Sequence, residues 1–362
     1  MLRFEHENLP QRIRFGSGEA AAMLAGEVQR LGAVRVMVIA SPAEVGRSQK
    51  ITSDLPVVHH HEEVTMHVPV EVAERARAAA ARHQVDAVVS IGGGSATGLA
   101  KAIALTTGLP IVAVPTTYAG SEATTVWGLT EGARKTTGAD ARVLPRAVIY
   151  DAELTVSLPV PMSVASGLNA LAHCVDSMWG PRADPIDRVL AQEGIRALRV
   201  GLPQVVTDPT GLGGREHVLY AAHLSAVAFS SAGSGLHHKI CHVLGGAYDL
   251  PHAQTHATVL PYVLAFNAPA APEAEQRIAS ALGSVGAIIG LQKLRDQLDA
   301  PKALRDYGFA ESDIDGAVDA ILPAVPVNNP RPVTAEDLRR VLHAAWQGTD
   351  PRTAIGDMPG RP

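Results

Sequence analysis

The sequence predicts an α/β domain built on a parallel sheet, followed by an all-α domain. Three observations carry this. In the first half, short β-branched runs alternate with amphipathic stretches, the pattern of strands joined by crossover helices. After about Leu158 strand signals nearly vanish and helical periodicity takes over. The change falls on Pro159 and Pro161, so 1–158 is read as the first domain and 159–362 as the second. A chain of 362 residues has the length of about two domains. It can bury a core without disulfide or metal.

In chain order, Arg12 to Phe15 reads as a short strand, Glu19 to Leu31 as a helix and Val34 to Ala40 as a buried strand. His59-His60-His61 reads as a polar strand end. Val70 to Arg82, rich in Ala, Glu and Arg, is helical; Ala87 to Ile91 is a strand, Leu99 to Thr107 a helix and Ile111 to Pro115 a strand. Thr130 to Arg146 is polar and hairpin-like, and Ala147 to Tyr150 is a further strand. Met162–Trp179, Pro185–Val200, Glu216–Phe229 and Ala274–Leu291 carry helical periodicity. Thr334 opens the last long helix, with Asp337 three residues later as an approximate capping box.

Lys+Arg number 31 and Asp+Glu 36, a formal charge of −5. That balance does not suit a nucleic-acid binder that works through counterion release. No apolar run reaches the roughly 18 residues that span a bilayer, and Met1 to Gln11 has no apolar core of a secretory signal. The two cysteines, Cys174 and Cys241, are far apart, a reduced, cytoplasmic pattern. Both are expected to serve packing.

The strand Ala87 to Ile91 runs into Gly92-Gly93-Gly94-Ser95, where a helix begins. Glycines let the backbone approach a diphosphate, and the helix N-terminus offers N–H groups and a positive dipole end. The next strand ends in Thr116-Thr117-Tyr118-Ala119-Gly120-Ser121-Glu122. Two hydroxyl- and glycine-bearing turns on one sheet edge point to a Rossmann-like dinucleotide site. Gly93, Gly94, Ser95, Thr116, Thr117 and Ser121 are its candidates. Gly16-Ser17-Gly18-Glu19-Ala20-Ala21 fits G-x-G-x-x-A but lacks the context. The strand before it is very short. The strand after it ends at Ser41, where an acidic residue would hold an adenosine ribose and exclude a 2′-phosphate. Ser41 does neither strongly, so NADH is expected with NADPH accepted.

Six of the fifteen histidines lie between His223 and His256. Asn169 and His173, His238 and His242, and His252 and His256 are three polar pairs at i,i+4, each on one helix face. Such pairs on apolar helices need partners and resemble inward-facing metal-site geometry.

The segments IGGGSATGLAKAIAL, PIVAVPTTYAGSEAT, SGLNALAHCVDSMWG and GLHHKICHVLGGAYDLPHAQTHATVLP resemble the iron-containing (group III) alcohol dehydrogenase family, and within it the maleylacetate reductase branch. The resemblance spans both halves. It implies a dehydroquinate synthase-like architecture, a nicotinamide cofactor and a homodimer. It also implies a divalent metal on one Asp and three His, whose positions here are Asn169, His173, His238 and His252. Asn169 carries no charge, so no metal is expected; any metal would fall to His173, His238 and His252. Gly98 stands where the family has Asp, and His256 where metal-using relatives have a smaller polar residue. His242 matches a histidine beside the nicotinamide.

Without a Lewis acid, alkoxide chemistry suffers. Reduction of an activated C=C bond is different, because imidazole or amide donors can hold the resulting enolate. The resemblance therefore implies a small dicarboxylate enone as substrate, reduced by hydride from the nicotinamide, with His242 as proton donor or oxyanion stabiliser and Asn169, His173, His238, His252 and His256 lining the pocket. Lys135 and Lys239 are candidates for charge pairing. Three other readings stay open: a metal-dependent alcohol or polyol dehydrogenase, a lyase resembling dehydroquinate synthase, and a non-catalytic NAD-binding protein.

Overall fold

The computed structural model describes residues 3–132 and 134–355, with the side chains of Arg134 and Lys135 outside that description. Its first elements are β1 (Arg12–Phe15), α1 (Ala20–Leu31), β2 (Val36–Ile39), α2 (Val45–Ile51), β3 (Val57–His61), α3 (Val70–Arg82), β4 (Ala87–Gly92), α4 (Gly94–Thr107) and β5 (Ile111–Pro115). A hairpin of β6 (Val126–Glu131) and β7 (Arg134–Ala139) precedes β8 (Ala147–Tyr150). The helices that follow are α5 (Val160–Ser177), α6 (Pro185–Thr207), α7 (Leu212–Ala232), α8 (Leu236–Ala247), α9 (His252–Asn267), α10 (Pro272–Ala281), α11 (Ala287–Gln297), α12 (Ile314–Ile321), α13 (Ala335–Gln347) and α14 (Pro351–Ala354).

Six strands form one parallel sheet in the order β1-β8-β5-β4-β2-β3. Parallel pairing demands crossovers, and these cover both faces of the sheet with helices. Alternate residues of the central strands therefore enter two cores. Met37, Ile39 and Val88 pack with Ala76 and Leu99 on one face. Val36, Val38, Val89, Ile91 and Val112 pack with Met23 and Leu24 on the other. The predicted fold class, a parallel α/β part and a helical part, is the one observed. No helix among the described residues is long and apolar enough to cross a membrane.

Several boundaries differ from the sequence reading, each for a local reason. The helix expected over Leu99–Thr107 starts at Gly94, because Gly93 in extended conformation is its cap. The hairpin begins at Val126, earlier than Thr130. The single helix expected over Ala274–Leu291 is two, broken at Gly283, whose φ of +62° takes the chain out of the right-handed helix. The helix α2 had no apolar periodicity strong enough to announce it. The capping box of Thr334 and Asp337 is present in both directions.

The chain falls into two compact units that are not two contiguous halves. One holds residues 8–158 and 210–219; the other holds 1–7, 159–209 and 220–362. The first turns of α7 join the α/β unit because Arg215, fully buried, donates to the carbonyls of Thr155, Val156 and Leu158 and to the Tyr118 hydroxyl. Ser17 Oγ also donates to Glu216 there, at 2.7 Å. The N-terminal residues join the helical unit through His6, whose Nδ1 lies 2.7 Å from Asp184 Oδ2.

Within the helical unit, α5 and α6 approach closely where glycines replace side chains. A Cβ at Gly167 would sit 2.5 Å from Leu202 Cδ2, and one at Gly194 2.7 Å from Cys174 Sγ. Leu202 is fully buried and has nowhere to swing. Gly167→Ala is therefore expected to cost about 1–3 kcal/mol of stability, and Gly167→Ala with Leu202→Ala to cost less than the sum of the two. An unchanged denaturant midpoint in Gly167→Ala would contradict this packing.

Candidate active site

In the α/β unit the two predicted turns share the carboxyl edge of the sheet, since β4 and β5 are parallel neighbours. No side chain caps the N-terminus of α4, which leaves its first N–H groups to a ligand. Gly92 has φ +148°, and a Cβ on Gly93 would lie 3.0 Å from Thr117 Cγ2 and 3.1 Å from its Oγ1. Side chains would fill this cradle; glycines leave it open. Ser95 is half-buried at the first turn of α4. Ser121 Oγ is buried with no hydrogen-bond partner. Thr116 Oγ1 donates to Glu44 Oε1 at 3.5 Å. Ser41 caps a single turn, Pro42–Glu44, without a side-chain bond. These features fit a dinucleotide diphosphate. The Lys135 side chain lies outside the described residues.

Gly98 has its own reason. A Cβ there would lie 2.9 Å from Val68 Cγ2, and Val68 is held at φ +47° by its carbonyl, which accepts from Thr130 N at 3.1 Å. The acidic residue of the wider family would meet Val68.

Behind the second turn, Lys101 is fully buried and donates to Thr124 O at 2.8 Å, Thr124 Oγ1 at 3.1 Å and Val126 O at 2.8 Å. Burial pulls its pKa down to about 7, and the carboxylate of Glu122 opposes that. Glu122, pushed up by the same burial, accepts from Tyr150 OH at 3.0 Å. Lys101 ties the segment after the Ser121 turn to α4, and Glu122 ties the turn to β8.

In the helical unit α5, α8 and α9 bring the predicted histidines into one cluster. The rings of His173 and His238 stack at 4.9 Å. His238 lies 6.0 Å from His242 and 4.8 Å from His256, and His256 lies 4.4 Å from His252. Phe229 from α7 packs on His173 at 4.8 Å and on His238 at 4.2 Å. His173, His238, His256 and Asn169 are buried, whereas His242 and His252 are exposed. Asn169 Oδ1, His173 Nδ1, His238 Nε2 and His256 Nε2 are buried without a hydrogen-bond partner in the protein. Lys239, half-buried, adds a positive charge that acts on His238.

Two residues central to this arrangement escaped the sequence reading. Asp176, fully buried on α5, accepts from His238 Nδ1 at 2.6 Å and from the backbone N–H groups of Gly235 and His238, each at 3.1 Å. An oxygen that already accepts twice from the backbone leaves the proton on His238 Nδ1. His238 Nε2 is then an acceptor, the arrangement of an oriented imidazole. His237 Nε2 lies 2.9 Å from His256 Nδ1, and Cys241 Sγ lies 3.6 Å from the same nitrogen of His237. The spacing of Asp176 three residues after His173 was the available signal for the first. For His237 it was adjacency to His238. Cys174 and Cys241 are buried, and burial raises both thiol pKa values.

Burial, reinforced by neighbouring histidines, lowers the pKa of His173, His237, His238 and His256 well below the usual value. The buried histidines are therefore neutral. Neutral imidazoles carry no charge with which to draw a carboxylate. The metal of the wider family does not fit this donor set. Asn169 supplies no charge. Among the described residues, triples with all ligand atoms within 4.8 Å are His237–Cys241–His256 and His6–Asp184–Asp187, and His173, His238 and His252 do not form one.

Two family models match the chain: iron-containing alcohol dehydrogenase over residues 10–152, and the C-terminal part of the Fe-containing alcohol dehydrogenase family over 163–346. Maleylacetate reductase of Sphingobium indicum is 43% identical over 98% of this chain and 100% of that protein. The crystal structure of an iron-containing alcohol dehydrogenase from Corynebacterium glutamicum is 63% identical with a TM-score of 0.97, covering 98% of this chain and 99% of that one. Maleylacetate reductase from Agrobacterium tumefaciens is 41% identical with a TM-score of 0.92, over 97% of this chain and 100% of that one.

The neutral histidines make stability depend on pH. Unfolded, each binds a proton below about pH 6.5; folded, none does until far lower, and His223 protonates at about 4. The unfolded state thus binds more protons as pH falls through this window, and stability is lost. Asp176, Glu122 and Asp187, whose carboxyls burial pushes up, oppose this, but they are outnumbered by the buried histidines, His173, His223, His237, His238 and His256. The melting temperature is expected to fall by several degrees between pH 7.5 and pH 5. A flat profile over that range would contradict neutral burial.

Proposed function

This chain belongs to the iron-containing alcohol dehydrogenase family, and on that premise we propose that it is an NAD(P)H-dependent oxidoreductase that reduces the C=C bond of maleylacetate to give 3-oxoadipate, without a metal, in the breakdown of aromatic compounds. The observation that carries the reading is the cluster of imidazoles that includes His173 and His238, with buried Asn169 one turn before His173 on α5, where the resemblance places a metal-binding carboxylate. The near full-length likeness to maleylacetate reductases supports the substrate.

The reduced nicotinamide supplies a hydride when bound. Gly93, Gly94 and Ser95 hold its diphosphate through backbone N–H groups and a hydroxyl at the positive end of α4, and Thr116, Thr117 and Ser121 line the second turn. Addition at the carbon β to the ketone turns the enone into an enolate. Its oxygen needs hydrogen-bond donors rather than a full cation. The Asn169 amide and the neutral imidazoles of His173 and His256 supply such donors in a buried setting, where each is worth more than in water. His238 is held in orientation by Asp176. His242, exposed on the same face of α8 one turn after His238, gives a proton to the α carbon. Exposed His252, His242 and half-buried Lys239 attract the two carboxylates. The reading also carries a cytoplasmic enzyme, supported by two unbridged buried cysteines, and a homodimer, supported by the family likeness alone.

A second reading, a metal-dependent alcohol dehydrogenase, is favoured by the unpartnered lone pairs of Asn169 Oδ1 and His238 Nε2. The substitution Asn169→Asp separates the two. Under the first reading it puts a negative charge beside the developing enolate, and maleylacetate-dependent NADH oxidation falls by about 100-fold or more. Under the second it completes a ligand set, and zinc or iron uptake and alcohol oxidation both rise. His242→Ala is expected to lower kcat by about 10²–10⁴ with the KM for NADH unchanged; turnover at the parent rate would remove His242 from the reaction.

A further inference from the structure

We propose that Glu44 makes the site select NADH over NADPH; this rests on the reading of the α/β unit as the cofactor unit. In the sheet, β2 and β4 are neighbours, with β3 beyond β2 on one side and β5 beyond β4 on the other. The chain leaves β2 through α2 toward β3, and leaves β4 through α4 toward β5. The two connections diverge, so the crevice between the carboxyl ends of β2 and β4 is the topological switch point, where open α/β sheets take their ligands. The turn Gly92–Ser95 is one wall of that crevice. The other is the single turn Pro42–Glu44 after β2.

Glu44 reaches across this crevice. Its Oε1 accepts from Thr116 Oγ1 at 3.5 Å, and Thr116 follows β5, with β4 lying between β5 and β2. The carboxylate therefore passes the end of β4, beside the glycine turn. Its other oxygen is fixed by Arg47 Nη1 at 2.6 Å, and Arg47 also donates to Leu154 O at 3.3 Å and Ser157 Oγ at 2.8 Å. The Glu44 side chain is 18% exposed, held rather than trailing in solvent. In dinucleotide sites an acidic side chain beyond this strand accepts from the ribose 2′-hydroxyl and repels a 2′-phosphate. Ser41 stands at the strand end, and the carboxylate comes three residues later, folded back by the turn. Equal use of NADH and NADPH, which Ser41 alone would permit, gives way to a preference for NADH.

The test is binding, read without substrate. Dissociation constants for NADH and NADPH are measured from nucleotide fluorescence on the intact protein and on Glu44→Gln. The parent is expected to bind NADPH about tenfold more weakly or worse, because like charges face each other. In Glu44→Gln that ratio is expected to fall by about fivefold or more, chiefly through tighter NADPH, since Arg47 loses its anionic partner and turns to the phosphate. Adding Arg47→Met should cancel the gain. If Glu44→Gln does not fold, Glu44→Ser reads the same ratio. Equal affinities in the parent, or a ratio in the variant within about twofold of the parent's, would overturn the assignment. A parent that binds neither nucleotide would overturn the cofactor reading beneath it, and a maleylacetate-inactive parent with the predicted ratio would leave Glu44 in place.

Discussion

The helical unit depends on one buried carboxylate. Asp176 caps α8 from a different helix, accepting from Gly235 N and His238 N while holding the His238 ring at 2.6 Å. A carboxylate at a helix N-terminus is favoured by the dipole and by the unpaired N–H groups, which offsets part of what its burial costs. The same contact fixes the rotation of α8, and with it the directions of His237, His238 and His242. It also forces glycine at 235, where a Cβ would lie 2.6 Å from Asp176 Oδ1. Removing one partner of this buried hydrogen bond leaves the other unsatisfied, at a cost of about 1–3 kcal/mol. The histidine cluster is thus a consequence of helix capping as much as of histidine placement.

The α/β unit solves a different problem. A diphosphate needs backbone N–H groups, which a helix interior spends on itself. Strand β4 runs into α4 with only Gly93 between them, so the first turn of α4 opens directly onto the sheet edge. Lys101 and Glu122, both buried, then fix the second turn, the first against the same helix and the second against β8. Charged groups this deep are tolerated because backbone carbonyls and Tyr150 satisfy them.

Much of this was legible in the sequence, for physical reasons. The β4–α4 turn announces itself by composition, because Gly92 takes a φ of +148° and a Cβ on Gly93 would crowd Thr117. The i,i+4 spacing of Asn169 with His173 and of His238 with His242 follows from helix geometry alone, and the structure gathers those rings. What was not legible depends on packing between distant segments. Asp176 acquires its meaning from α8, 62 residues away. The link between His237 and His256 needs α8 and α9 to meet. The exchange of residues 210–219 depends on Arg215 finding four acceptors. Glu44 was hidden because a one-turn helix after β2 carries it back to a strand end it does not adjoin in sequence.

The chemistry turns on charge. A divalent ion wants a carboxylate, and this cluster offers an amide and neutral imidazoles, with the single buried carboxylate spent on orienting His238. Such a set suits an enolate, which spreads its charge, better than an alkoxide, which does not. The most direct measurement is the metal content of the purified protein and its maleylacetate-dependent NADH oxidation, read on the same samples before and after exhaustive chelation. The account predicts undiminished turnover at less than about one metal per ten chains, well short of a structural or catalytic stoichiometry. Turnover that disappears with chelation and returns with zinc or iron would contradict it.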